Sequence, residues 1–515
     1  MLFPVPIILM LATALTLFIL RRARPKFQYA WLIAAGGSLL ALGGVFLWQV
    51  KMPQTFSLFA WQPRTVFSST PAWLADGVSW PYALALTALA AAVILTSVAR
   101  SERDPAAWAG TLILCALGIA SVSAANLLTL VLIWAALDLA ELVIMLRSTE
   151  GERHSEGVVV AFAARLSGIG LALWAGAASG PWADFNAAPA QAGLYLLLAA
   201  GLRLGVLPLH LPYRQENVLR RGFGTTLRLV SAASSLALLA RIPPGAIASP
   251  FTPLLLVLAA LAGLYAGWMW LRASDELTGR PFWVLGMASL AVAAALRGSP
   301  LGSAAWGLAL VLGGGIIFLY SARQRTLLWI PFLGLLGLSA LPFTATASGW
   351  QSGMEIFPLF WIILLPAQAL LAAGFFRHAL HPGESSLESQ PRWVQALYPA
   401  GLLLPAAILL LLGVWGWDGA AVIGVWWAAL VAAALAAGLA ALALTVLPRL
   451  ASGGGSPGQW SEALRLGWLY RSVWAFYRFL GRASRIITNA LEGEGGILWS
   501  FLLLVLLLSV FSSLR

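Results

Sequence analysis

Hydrophobic residues occur along this chain in long runs, separated by short segments that hold most of the charged and turn-forming residues. The runs have the length, about 17–25 residues, at which an α-helix crosses about 30 Å of hydrocarbon. They predict an all-α, polytopic membrane protein with about 16 transmembrane helices. The predicted spans are 3–20, 28–48, 80–98, 106–123, 126–146, 157–176, 191–208, 225–242, 252–271, 281–297, 302–320, 327–344, 356–376, 397–416, 421–446 and 497–512.

Composition and charge sharpen this prediction. Of 515 residues, 60% are hydrophobic and 10% are charged, and no soluble domain remains once the spans are placed. The arginines lie mainly in alternate loops, and basic loops stay on the cytoplasmic side. We therefore expect an integral protein of the bacterial inner (cytoplasmic) membrane with both termini outside.

Several other kinds of protein are excluded by the same residues. The net charge of +12 comes from arginines spread over loops, which is not the basic stripe of a nucleic-acid-binding protein. The single cysteine, Cys115, provides neither a disulfide framework nor a thiolate metal site. We find no phosphate-binding glycine loop, no metal-ligand spacing and no nucleophile elbow. We expect no cofactor and no nucleic-acid partner.

Two spans contain a proline that breaks the helix, Pro208 and Pro342. A helix interrupted at membrane depth is tolerated where the freed backbone lines protein or water. Pro208 also follows a buried cation, Arg203, and precedes His210. Such a combination indicates an ion path.

The fifth span carries two acids, Asp138 and Glu141, which lie three residues apart and so share one helical face. Two buried carboxylates on one face need a cation. The sixth span offers Arg165 and the seventh offers Arg203. The four charges are either a relay around a water-filled path or a fixed ion-pair network that stabilises the bundle.

Several segments resemble one family. The fifth span, NLLTLVLIWAALDLAELVIML, is similar to that of the antiporter-like subunits of respiratory complex I and of Mrp-type cation/proton antiporters, where Asn-Leu-Leu is followed by Trp-Glu. The segment RLGVLPLH resembles the family's Lys-x-x-x-x-Pro-Leu-His, with Arg203 at the lysine position. Further resemblance, in the same order, is found in LADGVSW, SDELTGRPFWVLGMASLA and LLGLSALPFTATASGW, so that it covers about residues 70–350.

This resemblance implies two inverted five-helix repeats with one broken helix each, and Pro208 and Pro342 are five spans apart, as such a pair requires. A basic and aromatic helix near the end is expected to lie in the interface, as a shortened form of the lateral helix of the large complex I subunit. The expected domains are helices 1–3 (1–105), the first repeat (106–243), the second repeat (250–376), helices 14 and 15 (397–446), the interfacial helix (457–486) and the final span (497–512).

The chain departs from the family in residues that would carry protons. Ala135 follows Trp134 where the family has glutamate, and Arg203 replaces a lysine that can release its proton, which arginine cannot do. The chain has two lysines, Lys26 and Lys51, and neither lies in the second repeat. We therefore expect the second repeat to be electrically silent.

Two further residues have alternative interpretations. His210 is either a proton relay or a histidine that hydrogen-bonds the carbonyls freed by Pro208. Arg228 is either a relay residue or a side chain that reaches back to the cytoplasmic headgroups, and we favour the second role.

Three functions follow from these residues. We expect a non-catalytic membrane subunit of a multisubunit, redox-linked complex that translocates protons or monovalent cations and resembles NADH-quinone oxidoreductase. Its partners would be other membrane subunits of that complex and the lipid bilayer. The alternative is a non-pumping assembly subunit, and a third function is a self-sufficient cation/proton antiporter.

Overall fold

A computed structural model describes most of the first 445 residues and a few beyond them. The described residues are 2–24, 27, 29–59, 70–100, 104–148, 152–179, 182, 184–211, 219, 221–247, 249–351, 359–381, 383, 387–422, 424–445 and scattered residues between 471 and 505. The chain divides into two compact units, Met1–Gly454 and Gly455–Arg515.

The first unit is built from helices that match the hydrophobic runs. Among the described residues, thirteen helices are long and apolar enough to cross a membrane, and two shorter apolar helices occupy the seventh and twelfth predicted spans. The all-α, polytopic fold is therefore confirmed. The helices are α1 Val5–Ala23, α2 Ala30–Trp48, α3 Ser79–Thr96, α4 Pro105–Val122, α5 Leu127–Ser148, α6 Glu152–Ser179, α7 Ala190–Leu204, α8 Arg221–Leu239, α9 Thr252–Arg272, α10 Glu276–Leu296, α11 Pro300–Leu319, α12 Trp329–Gly337, α13 Leu359–Ala379, α14 Arg392–Val414, α15 Asp418–Ala421 and α16 Trp426–Thr445.

The predictions for the end of the chain fall largely outside the described residues. Within the predicted interfacial helix (457–486), the described residues, all between 471 and 485, are helical. Within the predicted final span (497–512), three described residues are helical. Both elements stay predictions.

A small β-hairpin, which the sequence did not suggest, lies in the loop before α3. Strand β1 (Gln54–Ser57) pairs antiparallel with β2 (Ala72–Ala75). The backbone amide of Leu74 donates to the Ser123 carbonyl at 2.7 Å, so the hairpin is joined to the turn between α4 and α5.

The centre of the unit is formed by α3, α8, α10 and α11. All residues in the most apolar 18-residue stretch of α3 are buried, whereas 22% of those in the corresponding stretch of α1 are buried. Because apolar side chains are stable against lipid, the outer helices need no further covering. The central helices are held by side-chain packing.

The two predicted repeats have the same order of neighbours. In the first group (α4–α8) each helix packs against the next and α4 packs against α8; in the second group (α9–α13) each helix packs against the next and α9 packs against α13. This agreement supports a repeat of five helices. The inverted relation between the groups stays a prediction.

The first interruption begins earlier than its proline. Helix α7 ends at Leu204 because Gly205 adopts the left-handed conformation (φ 79°). The freed carbonyl of Gly201 accepts from the amides of Val206 and Leu207 at 2.8 and 3.1 Å. Pro208 follows and prevents the helix from continuing.

The second interruption is stabilised by a threonine. Helix α12 ends at Gly337, five residues before Pro342, and Ala340 and Phe343 have positive φ angles of 57° and 63°. The Thr346 hydroxyl donates to the Gly337 carbonyl at 2.7 Å and accepts from the Ala340 amide at 2.9 Å. This side chain therefore replaces hydrogen bonds that the ended helix no longer supplies.

Candidate functional site

A buried group of charges lies between α5, α6, α7 and α8. Asp138 and Glu141 project from one face of α5 and are 2% and 3% exposed. The arginines from the other three helices that meet them, Arg165, Arg203 and Arg228, are also buried. The structure thus brings together the four charges that the sequence suggested and adds Arg228.

Asp138 is bonded to Arg203 through both carboxylate oxygens. The Arg203 Nη1 and Nη2 atoms donate to Oδ2 and Oδ1 at 2.5 and 2.8 Å. Arg203 lies in the last turn of α7, so the helix that ends at Gly205 delivers its guanidinium to the middle of α5. The two-point contact fixes the plane of the guanidinium.

Glu141 is shared by two arginines. Its Oε2 accepts from Arg165 Nη1, and its Oε1 accepts from Arg228 Nη1 at 2.7 Å. Arg228 is 6% exposed and points into the bundle, so the favoured interpretation that it reaches the headgroups is wrong. A carboxylate was available within the membrane, and pairing avoids the cost of a long path to the headgroups.

Arg165 joins the two pairs. Its Nη1 lies 4.0 Å from Asp138 Oδ1 as well as in contact with Glu141. The five side chains therefore form an alternating sequence, Arg203, Asp138, Arg165, Glu141 and Arg228, which we call the charge series. Arg165 Nη1 is thus within ion-pair distance of both carboxylates.

Three residues support Arg203, and the sequence had named only Trp134 among them, as part of the family pattern. The Trp134 ring lies 4.2 Å from its guanidinium carbon, and Nε donates to the Ser235 hydroxyl at 3.3 Å. Gly168 on α6 leaves room for its stem, since a Cβ there would lie 2.6 Å from Arg203 Cγ. The position three residues after Arg165 could have suggested that Gly168 faces the same site.

His210 does not join the charge series among the contacts that the structure describes. Its Nδ1 is 2.9 Å from the Pro208 carbonyl, and its backbone amide donates to the Gly205 carbonyl at 2.8 Å. The side chain thus pairs with a carbonyl next to the interruption. This contact belongs to the structural alternative for His210.

The second helix group is not electrically silent, so that expectation is wrong. Glu276, the first residue of α10, is 3% exposed and accepts from Arg221 and Arg323 at 2.7 and 2.6 Å. The neighbouring Asp275 caps α10. Burial acts to raise the pKa of Asp275, but hydrogen bonds from Thr278 and Ser274 outweigh it and hold the pKa below its usual value.

Other buried polar side chains of this group bond to backbone and rings. Arg297, 2% exposed, donates to the Gly349 carbonyl at 3.1 Å and lies 5.3 Å from the Trp350 ring. His378, 0% exposed, places Nε2 at 2.9 Å from the Trp270 carbonyl. The sequence did not predict that these side chains are buried, because the expectation for this repeat rested on lysines and because an arginine at a helix end resembles an ordinary loop charge.

A separate ion pair joins helix ends in the first part of the chain. Asp76 accepts from Arg241 Nη1 and Nη2 at 2.9 and 3.0 Å, and also from the Ser79 amide at 2.8 Å. The sequence did not suggest this pairing between the segment before α3 and the end of α8.

Known proteins resemble this chain in fold. No protein-family model and no curated protein matches the sequence. A chain of the Mrp complex from Dietzia sp. DQ12-45-1b matches with a TM-score of 0.73 and 13% identity, over 100% of this chain and 63% of that chain. The fold is that of chains in multisubunit membrane complexes.

Two respiratory complexes provide further matches. A chain of the membrane-bound sulfane sulfur reductase, an archaeal respiratory membrane complex, matches with a TM-score of 0.66 and 14% identity, over 99% of this chain and 100% of that chain. A chain of respiratory complex I from Thermus thermophilus with bound NADH matches with a TM-score of 0.61 and 19% identity, over 85% and 100%.

These matches confirm the resemblance to complex I and Mrp-type chains at the level of fold. At 13% to 19% identity, fold does not determine activity. This chain spans 63% of the length of the Mrp chain that it matches.

Proposed function

We propose that this chain is a membrane subunit of a multisubunit, redox-linked complex that translocates protons or monovalent cations, with the charge series as its coupling element. The observation that carries the proposal is the buried, alternating series beside an interrupted helix. Buried charges inside membrane helices are costly, and they are typical of ion pathways and relays.

The chemistry of Arg203 limits how the charge series can couple to ion movement. Because a guanidinium holds its proton, Arg203 cannot replace the family lysine as a proton carrier. It can respond to a nearby charge by changing its contact with Asp138. Arg165 then exchanges Glu141 for Asp138, so that a change at one end of the series reaches the other.

The alternative is a non-pumping assembly subunit in which the same pairs are static. The bidentate geometry between Arg203 and Asp138 and the support from Ser235 favour this alternative, since both restrict movement of Arg203. The third function, a self-sufficient antiporter, has less support because few titratable side chains lie along the described helices.

The first experiment identifies the partners. The tagged full-length chain is purified in mild detergent from its own membranes, and co-purifying proteins are identified by mass spectrometry. We expect other membrane subunits together with redox subunits. Recovery of the chain alone, with ion exchange in vesicles, would support the self-sufficient antiporter instead.

The second experiment separates coupling from assembly. Asp138→Asn is compared with Asp76→Asn, because both remove the charge of a carboxylate that binds one arginine at two points. We expect Asp138→Asn to lower translocation per assembled complex by about tenfold or more, as loss of a charge-assisted pair would. Asp76→Asn should leave it near the wild-type value. If Asp138→Asn only reduces the amount of complex, the subunit is structural.

A further inference from the structure

A cavity of about 680 Å³ opens at the end of the bundle where α3 begins. Its walls come from the ends of α2, α3 and α14, from α15 and from the interruption after α12. The described residues that line it include two carboxylates, Asp76 and Asp418, and neither lysine nor arginine. The charge of this cavity suits a cationic ligand.

The two carboxylates differ in what they bind. Asp76 is bonded to Arg241, whereas the Asp418 carboxylate is exposed and forms neither an ion pair nor a hydrogen bond with any described residue. The Asp418 carboxylate lies against the residue that follows Asp76, because a Cβ added to Gly77 would be 3.6 Å from Asp418 Oδ2. Asp418 is therefore available to a ligand that occupies the cavity.

Two buried polar atoms in the lining also have no partner among the described residues. They are Oε1 of Gln49, an acceptor, and Nε1 of Trp417, a donor on a side chain that is 5% exposed. Unpaired buried polar groups cost free energy unless a ligand or water satisfies them. Both atoms are enclosed by protein, so a ligand in the cavity contacts them only when the Gln49 and Trp417 side chains turn toward it, whereas the exposed Asp418 carboxylate is reached directly.

The rim of the cavity is apolar and lies at helix ends, where lipid headgroups meet a membrane protein. Phe343, Val414 and Trp415 are 76%, 78% and 50% exposed. Tryptophan is enriched at this level of the bilayer, and aromatic faces attract quaternary or primary ammonium groups. The rim therefore suits a lipid rather than a free ion.

We propose that this cavity binds the headgroup of a zwitterionic, ammonium-bearing phospholipid such as phosphatidylethanolamine. The ammonium group would contact Asp418 and Gln49, a phosphate oxygen would accept from Trp417, and the acyl chains would lie against the rim. A bare cation would leave the Trp417 N–H unpaired, and an anionic headgroup would be repelled by Asp418, since Arg241 already balances the charge of Asp76. The proposal does not depend on ion translocation.

The test is native mass spectrometry of the purified full-length chain with phosphatidylethanolamine or phosphatidylglycerol of the same acyl chains. We expect the wild-type chain to retain phosphatidylethanolamine preferentially. Asp418→Asn should reduce its retention about tenfold, as loss of a charge-assisted contact does, and Trp417→Phe about threefold.

Asp184→Asn is the matched control, because Asp184 is an exposed aspartate at the start of a short helix, as Asp418 is, and does not line the cavity. It should retain the lipid as the wild type does. The proposal fails if both lipids are retained equally, or if Asp418→Asn and Asp184→Asn behave alike. It also fails if NaCl displaces the lipid while N-methylglucamine chloride of equal ionic strength does not, since that result identifies a cation site. Asp418 is exposed, so its variant is expected to fold, and thermal unfolding checks this.

Discussion

The two five-helix groups share an order of packing but place their buried charges differently. In the first group, Asp138, Glu141 and Arg165 lie in the middle of long helices and bind side chains of neighbouring helices. In the second group, Glu276 is the first residue of its helix and Arg297 follows the last residue of the same helix. At its helix end Arg297 binds a backbone carbonyl and Glu276 binds two arginines, whereas the acids in the middle of α5 depend on side chains of neighbouring helices.

One fold can therefore hold buried charges in two roles, one structural and one beyond stability. A charge at a helix end fixes a loop and costs little, because backbone groups and headgroups are near. A charge in mid-helix is retained at higher cost, which suggests a role beyond stability. Matched variants in the two groups test this difference.

The largest effect is expected from removing Arg203. Arg203→Met leaves Asp138 without its bidentate partner, and loss of one member of a buried pair costs about 3–5 kcal/mol of the free energy of unfolding. Arg297→Met leaves no carboxylate behind and should cost about 1–2 kcal/mol, the value of a hydrogen bond and a ring contact. Unfolding of the purified chain in detergent measures both. Equal losses would remove the distinction between the groups.

A smaller effect is expected at Gly168. A Cβ there would lie 2.6 Å from Arg203 Cγ and 3.0 Å from the Ala199 carbonyl, so Gly168→Ala should force α6 from α7 and cost about 1–3 kcal/mol. Gly170 has nothing within 4 Å of its added Cβ, and Gly170→Ala should be neutral or stabilise by up to about 1 kcal/mol. The same unfolding measurement tests the pair, and a neutral Gly168→Ala would show that the stem of Arg203 is not confined.

The smallest effect concerns Ser235. Ser235→Ala removes a hydroxyl that accepts from Arg203 and should cost about 1 kcal/mol or less. Ser234→Ala is the control, since Ser234 donates to the Ser231 carbonyl of its own helix. The cost of Ser235→Ala should vanish in the Arg203→Met background. If it persists there, the contact with Arg203 has no energetic weight.

Local pattern was sufficient to predict the helices. Each of the first fifteen predicted spans contains a helix, because a run of apolar residues of sufficient length has few stable alternatives in a membrane. The helix interruptions were placed at Pro208 and Pro342, but α7 and α12 end at Leu204 and Gly337. Left-handed Gly205 and the side chain of Thr346 end these helices, and neither is as visible in a sequence as a proline.

Long-range pairing was harder to predict. The two acids of α5, Asp138 and Glu141, predicted that cationic partners lie nearby. Arg165 and Arg203 were the candidates because they lie within apolar spans. The partner of Arg228, and the pairing of Asp76 with a residue 165 positions away, depend on how the helices pack. A single sequence carries no signal for such contacts.

The central claim is that the charge series couples to ion movement and that the helix-end charges of the second group support structure. It is tested most directly by Glu141→Gln and Glu276→Gln, since both carboxylates are buried and each binds two arginines. Translocation is measured in vesicles that contain the assembled complex and is divided by the amount of complex. We predict that Glu141→Gln lowers translocation per complex while Glu276→Gln lowers only the amount of complex. Equal translocation per complex in the two variants, at the wild-type level, would contradict the claim.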